Sequence, residues 1–251
     1  MSTWREIWKK SLKANSLMFF NEESGLKQFD NLFEEYKDKE TGKKDGMIFY
    51  ARAEAYELQG KKELASKDFE EAGKLFPVDH WKEVASKSYQ RIKLNKSAEE
   101  AYKQDDFIEY LWFVFQKVYE FVYLDDFVRY VCLSAVSRAS SEWPLSLIDF
   151  RTVLELQVNA LLSKNNRDTT DLNYAIDNLK SHNIVNDDSI IKKMHIIRKN
   201  GNEATHDVKN IRDIHKMSIK EAKEELKKIK CFYSVLEFFN AYNKEHNLKS
   251  I

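Results

Sequence analysis

The stretch IIKKMHIIRKNGNEATHD, Ile190–Asp207, decides how the second half of the chain is expected to fold. Its apolar residues recur at the spacing of an amphipathic helix. Gly201 readily takes the positive φ that ends a helix, and the side chain of Asn202 can accept a backbone N–H at the start of another helix. We therefore predict two helices that meet at a tight turn after Asn200.

The predicted turn would gather the polar side chains of Arg198, Asn202 and His206 on one small patch. On an unbroken helix Arg198 and His206 would lie about 12 Å apart along the axis. Arginine offers a planar, charged fork to phosphate oxygens, and histidine can transfer a proton near neutral pH. RNA cleavage without a metal ion requires groups of these kinds. The alternative is structural: Arg198 and Asn202 tie two helix ends together, and His206 packs beside them.

The pattern Ile-Arg-x-x-Gly-Asn-x-x-x-His at residues 197–206 resembles the signature of a bacterial helical domain of unknown function, often found beside restriction and phage-defence genes. That domain is similar to the HEPN superfamily, many of whose members are metal-independent ribonucleases that act as dimers. Two further elements fit this resemblance: an Arg-x-x-Leu-Glu sequence at residues 151–155, and a final helix from Ser218 to about Tyr242.

The resemblance covers about residues 145–243 and implies roles for the matching polar residues. Seven residues separate the Arg and His of the pattern, whereas four to six separate the catalytic pair of HEPN nucleases. The implied roles are catalytic for Arg198 and His206, and substrate-binding for Asn202, Arg151 and Lys199. Glu203, three residues before His206, is a better candidate to orient that histidine than the adjacent Asp207, and Glu155 is a second orienting residue. A simple ion pair between Arg151 and Glu155, four residues apart on a helix, is the alternative for those two. We expect no metal or other cofactor, because the histidines lack zinc-ligand spacing.

For the function, the resemblance implies a metal-independent endoribonuclease that belongs to a phage-defence or toxin system and acts as a homodimer. Two alternatives remain open. One is a non-catalytic protein-interaction and dimerisation module of a defence or restriction system. The other is a regulator that binds RNA or a nucleotide on the same patch without turnover.

The first half contains the stretch DGMIFYARAEAYELQGKKELASKDFEEAGKLFP, residues 45–77, which predicts two helices broken at Gly60. Small residues that allow close helix approach, and aromatic residues that fill the space beside them, are Ala53, Ala65, Ala72, Tyr56 and Phe69. This spacing, with the closing Pro77, resembles a tetratricopeptide repeat. The resemblance implies a short tetratricopeptide-like bundle at residues 1–95 that binds a partner protein. The alternative is that these helices only support the second domain.

We place the domain boundary in the polar segment at residues 94–106, where Ser97 and Glu100 have the spacing of a capping box. Residues 96–251 are then expected to form a HEPN-like up-and-down helical bundle. The chain has 41 basic and 41 acidic residues, so RNA binding would depend on a local patch. Two prolines, six glycines and long helical periodicities predict an all-α fold.

The stretch Phe107–Val136 is densely apolar and aromatic, but charged residues interrupt it too often for a membrane span. We predict a largely buried helix from Phe107 to about Val122. Asp125, Asp126 and Arg129 could form a functional cluster, but a helix cap and an i, i+4 ion pair explain them more simply. Cys132 and Cys231 lie in apolar helical patterns and are expected to be buried free thiols. Without a signal-peptide pattern, we expect a cytoplasmic protein that does not associate with a membrane.

Overall fold

The computed structural model describes residues 4–38, 45–139, 143–165, 171–206 and 217–248. In these ranges the regular elements are all α-helices, so the predicted all-α class is confirmed. The helices are α1 (Trp4–Phe20), α2 (Glu22–Glu35), α3 (Gly46–Leu58), α4 (Lys62–Leu75), α5 (Asp79–Lys93), α6 (Ala98–Ala101), α7 (Phe107–Glu120), α8 (Asp126–Ala139), α9 (Leu145–Lys164), α10 (Leu172–Ser181), α11 (Asp188–His206) and α12 (Ile219–Glu245).

The chain divides into two compact units, Met1–Ala101 and Tyr102–Ile251. The division falls at the end of α6, whereas the sequence placed the boundary after residue 95. The predicted capping box at the start of α6 is confirmed. The Ser97 backbone N–H donates to the Glu100 carboxylate (2.9 Å), and the Glu100 N–H donates to the Ser97 hydroxyl oxygen (3.3 Å).

In the first unit, α3 and α4 form a hairpin that turns at Gly60, whose φ is +73°. This confirms the predicted pair of helices. Ala53, Ala65 and Ala72 are fully buried between packed helices, because their small side chains let the backbones approach. The hairpin is also held by a two-point ion pair, in which the Arg52 guanidinium donates to the Asp68 carboxylate at 2.6 and 3.0 Å.

In the second unit, α9 packs against α8, α10 and α11, while α12 packs against α7 and α11. Aromatic rings fill the centre. The rings of Phe150 on α9 and Phe232 on α12 stack with centroids 4.0 Å apart, and Trp143 beside them is 2% exposed. The unit therefore fixes α9, α11 and α12 around a common core.

The apolar stretch Phe107–Val136 forms two helices, α7 and most of α8, with a turn between them. Most of α7 is buried, as predicted. The interruption arises at Asp125, whose carboxylate accepts the backbone N–H groups of Phe127 and Val128 at the start of α8. The cap expected at Asp125 is therefore confirmed.

Two other expectations concern membranes and cysteines. None of the helices within the described ranges has both the length and the apolar character required to cross a bilayer. Cys132 and Cys231 are free thiols, as predicted; Cys132 is fully buried, and Cys231 is only partly buried.

Candidate nucleic-acid interface

The helix α11 runs without interruption from Asp188 to His206. The predicted helix end at Gly201, and the predicted cap at Asn202, are therefore wrong. The pocket that two converging helix ends would have formed is absent from the part of α11 that the structure describes. The expected continuation of the second helix, at residues 207–216, lies outside the described residues.

Gly201 instead allows α11 and α9 to approach each other closely. A Cβ atom on Gly201 would lie 2.5 Å from the Arg151 Cβ, 2.9 Å from the Arg151 Cδ and 3.0 Å from the carbonyl oxygen of Leu147. A side chain at this position would force α9 and α11 apart. A glycine within a helix costs about 1 kcal/mol relative to alanine, and here the close packing of two helices offsets that cost.

On the continuous helix, the three polar residues of the motif form a line that we call the α11 row: Arg198, Asn202 and His206. Each is four residues from the next, which corresponds to about 6 Å along the axis and 40° around it. Arg198 and His206 are thus about 12 Å apart along the axis, and no bend brings them together. Asn202 and His206 are exposed, whereas Arg198 is half-buried.

Arg151 lies beside the α11 row, because its side chain extends from α9 over Gly201, one turn from Arg198. The predicted pairing with Glu155 is present, with 3.4 Å between the Arg151 Nη1 and the Glu155 Oε2. The Nε–H groups of Arg151 and Arg198 are buried and have no hydrogen-bond partner among the described residues. The α9–α11 contact therefore places two guanidinium groups in one region, each with an unsatisfied donor.

The two remaining predicted site residues lie on the neighbouring side of α11. The Lys199 Nζ and the Glu203 Oε1 are 3.9 Å apart, and both side chains are well exposed. Glu203 was expected to orient His206; the contact that the structure shows for it is with Lys199. Another histidine of α11, His195, contacts Asp177 of α10 at 3.1 Å and lies one turn before Arg198 on the same face of the helix.

A cavity of about 220 Å³ opens on the opposite side of α11, between α9 and α12. Its charged lining consists of Glu203, Glu225 and Lys228. The Lys228 ammonium lies 2.8 Å from the Glu225 carboxylate, so this cation is already neutralised. Two carboxylates and one paired amine make the cavity unfavourable for phosphate. The side with the α11 row suits an anionic partner better, because Arg198 adds a cation beside the Arg151–Glu155 pair.

Across the ranges that the structure describes, histidine, cysteine and acidic side chains nowhere gather in a group of three that could hold a metal ion.

The site thus belongs to an all-helical domain in which a glycine contact joins an arginine-bearing helix to a row of Arg, Asn and His. Residues 134–245 match the sequence model of a family described as "Domain of unknown function (DUF4145)". The match includes all of α9, α10, α11 and α12, and hence Arg151, Gly201 and the α11 row. No curated protein and no solved structure matches the chain.

Proposed function

We propose that the domain at residues 134–245 binds RNA on the side of α11 that carries the α11 row. The observation that supports this most directly is the arrangement of Arg198, Asn202 and His206 in register on one helix, beside Arg151 at the glycine contact. Arginine forks bind phosphate oxygens at two points, and the asparagine amide and the imidazole add hydrogen bonds. A row about 12 Å long spans roughly three nucleotides of a stacked strand.

The resemblance to HEPN domains supports an RNA ligand and extends the proposal. It suggests a HEPN-like helical bundle that dimerises, and a cytoplasmic setting in phage defence or a toxin system. In the first unit, the α3–α4 hairpin, with its small buried residues and closing Pro77, supports a tetratricopeptide-like bundle that binds a partner protein. Exposed Leu64, at 42%, gives that hairpin an apolar contact point.

The second candidate function is metal-independent endoribonuclease activity, for which the Arg and His of the α11 row supply suitable groups. Proton transfer requires a contact of about 3 Å or one bridging water, and the separation within one chain is too large for direct cooperation. A symmetric dimer with antiparallel α11 helices would place Arg198 opposite the partner subunit's His206, with Asn202 on the two-fold axis. Catalysis by these residues therefore depends on a second copy.

RNA binding is tested by titrating a labelled single-stranded RNA with the full chain at several salt concentrations. We expect Arg198→Gln and Arg151→Gln each to weaken RNA binding. Each should also reduce the slope of log binding constant against log salt concentration by about 0.7, which is the value for one lost phosphate contact to a single strand. Arg138→Gln is the matched control, because Arg138 pairs with Asp149 at 2.7 Å on α8 and α9. Equal loss of binding in the control would contradict the assigned site.

Cleavage is tested on the same RNA with a chelator present. If the nuclease candidate is correct, His206→Ala abolishes cleavage. His195→Ala retains it, because His195 lies about 16 Å from His206 along the helix axis and contacts Asp177. Salt-sensitive binding with intact RNA would identify the domain as a non-cleaving RNA-binding regulator. If the wild-type chain neither binds nor cuts RNA, both proposals fail, and a protein-interaction module becomes the better assignment.

A further inference from the structure

A second cleft in the same unit, of about 230 Å³, lies between the α7–α8 turn, α9 and the end of α12. Its walls are mostly apolar and include Phe127, Val128 and Leu161. The Phe127 ring is half exposed at the rim, where it could stack on a planar group. An engineered apolar cavity of about 150 Å³ holds benzene, so a cleft of this size has room for roughly nine or ten non-hydrogen atoms.

Gln157 provides a polar group inside this cleft. Its side chain lines the cleft, and the residue is only 5% exposed. The structure shows no hydrogen bond from its amide to any described residue. An amide carries two N–H donors and a carbonyl acceptor, so this side chain can bond a polar group that enters the cleft. A ligand with a carboxylate or a carboxamide would satisfy this group.

Lys164 provides a cation at the same cleft. It lies seven residues after Gln157, and therefore on the same side of α9 and about 10 Å further along the axis. Side chains on a helix lean toward its N-terminus, so a Lys164 side chain on this face can reach back past Ala160 toward Gln157. The small Ala160 side chain leaves the space between them open. Asp125 also lines the cleft, and its Oδ1 already accepts the backbone N–H groups at the start of α8.

The far wall of the cleft is held in place before any ligand arrives. Asn240 and Asn243 on α12 fix the turn between α7 and α8. The Asn240 Oδ1 accepts the Tyr123 backbone N–H at 3.0 Å, and the Asn243 amide donates to the Tyr123 carbonyl oxygen at 3.0 Å. A largely preformed pocket with apolar walls and a few convergent polar groups is typical of a small-molecule site.

We propose that this cleft binds a small aromatic carboxylate. The ring packs against Phe127, Val128 and Leu161, and the carboxylate accepts hydrogen bonds from the Gln157 amide and the Lys164 ammonium. This site is separate from the α11 row, and the proposal does not depend on RNA binding.

The proposal is tested by calorimetric titration of the full chain with phenylacetate and with its uncharged analogue phenylacetamide. We expect phenylacetate to bind more tightly, by about tenfold, which is the effect of one charge-assisted hydrogen bond. Lys164→Gln should remove that preference, and Gln157→Leu should weaken phenylacetate by about tenfold. Lys180→Gln, which removes an exposed lysine paired with Asp188, is the matched control and should leave both affinities unchanged.

Ala160→Leu, which fills the space between the two polar groups, should abolish binding while the helical circular-dichroism spectrum is retained. Three results would overturn the proposal. They are no binding of phenylacetate at millimolar concentration, equal affinity for the acid and the amide, and binding that Gln157→Leu and Ala160→Leu leave unchanged.

Discussion

At the scale of single residues, Gly201 shows how one missing side chain sets a helix contact. Gly201→Ala would put a Cβ 2.5 Å from the Arg151 Cβ, an atom fixed by the backbone of α9. We expect a loss of about 1–3 kcal/mol in the free energy of unfolding, because overpacking outweighs the better helix propensity of alanine. Urea titration followed by circular dichroism measures this loss.

The matched control for that substitution is Gly73→Ala in α4. A Cβ on Gly73 would meet its nearest neighbour, the Ala85 Cβ, at an ordinary 3.7 Å. This variant should be neutral or more stable by up to about 1 kcal/mol. If Gly201→Ala behaves as Gly73→Ala does, the close contact between α9 and α11 is not the reason for the glycine.

Glu54, only 1% exposed in the first unit, makes stability depend on pH. Burial raises the pKa of its carboxyl well above the usual value, and the charge of Glu57 raises that pKa further. The folded state therefore keeps a proton that the unfolded state releases near the ordinary glutamate pKa. The free energy of unfolding is highest below the ordinary glutamate pKa. It falls by about 1.4 kcal/mol per pH unit as the pH rises from that value to the raised pKa of the folded state.

We predict that Glu54→Gln flattens this pH dependence, so that it stabilises the protein more at pH 8 than at pH 5. Denaturant titrations at the two pH values provide the measurement. Glu57→Gln is the contrasting variant, because it removes the carboxylate that pairs with Arg91 at 2.5 Å and should destabilise. Equal effects of Glu54→Gln at both pH values would contradict a raised pKa.

At the scale of the element, α12 begins at a reciprocal capping box. The Ser218 hydroxyl oxygen accepts the Glu221 backbone N–H, and the Glu221 carboxylate accepts the Ser218 N–H. We expect Ser218→Ala to cost about 1 kcal/mol and to increase hydrogen exchange in the first turn of α12. Ser234→Ala, within the same helix, should have little effect. Equal protection of the first turn in both variants would contradict the role of the cap.

The helices could largely be predicted from the sequence, because their limits depend on local signals. The turn at Gly60 and the start of α12 after Ser218 lie where turn and capping residues placed them. The continuity of α11 could not be predicted in this way. A glycine after an asparagine is equally typical of a helix end and of a close contact between helices. The close contact applies here because Arg151 of α9 packs against Gly201, and that contact is not visible in the local sequence. One available signal was that Gly201 and Ala204 are small residues three positions apart, as at many close helix contacts.

The polar residues of the α11 row could likewise be found from the sequence, but their arrangement could not. The predicted bend implied that the three side chains converge, whereas on the straight helix they lie in a line. Gln157 was missed altogether, because a single polar residue in the apolar run of α9 resembles an ordinary surface position. Its burial at a cleft arises from α8 and α12, which are distant in sequence.

At the scale of the whole molecule, the proposed nuclease site requires a particular dimer. If antiparallel α11 helices pair around a two-fold axis, Asn202 lies on the axis and meets its own copy. Under oxidising conditions Asn202→Cys should then form a disulfide-linked dimer, seen as a doubled mass on non-reducing gels. Asn173→Cys, at an exposed position on α10, is the control and should remain monomeric. Equal cross-linking of both variants would argue against this dimer.

The hydrogen bonds from α12 to the turn at Tyr123 also bear on how the protein is made. They join residues 117 and 120 positions apart, so a ribosome finishes α7 and α8 long before Asn240 and Asn243 emerge. Until then the Tyr123 N–H and carbonyl groups lack these two partners, and the cleft lacks the wall that α12 provides. A nascent chain halted before residue 240 would display that unfinished turn to chaperones and proteases, and its completion would coincide with the docking of α12.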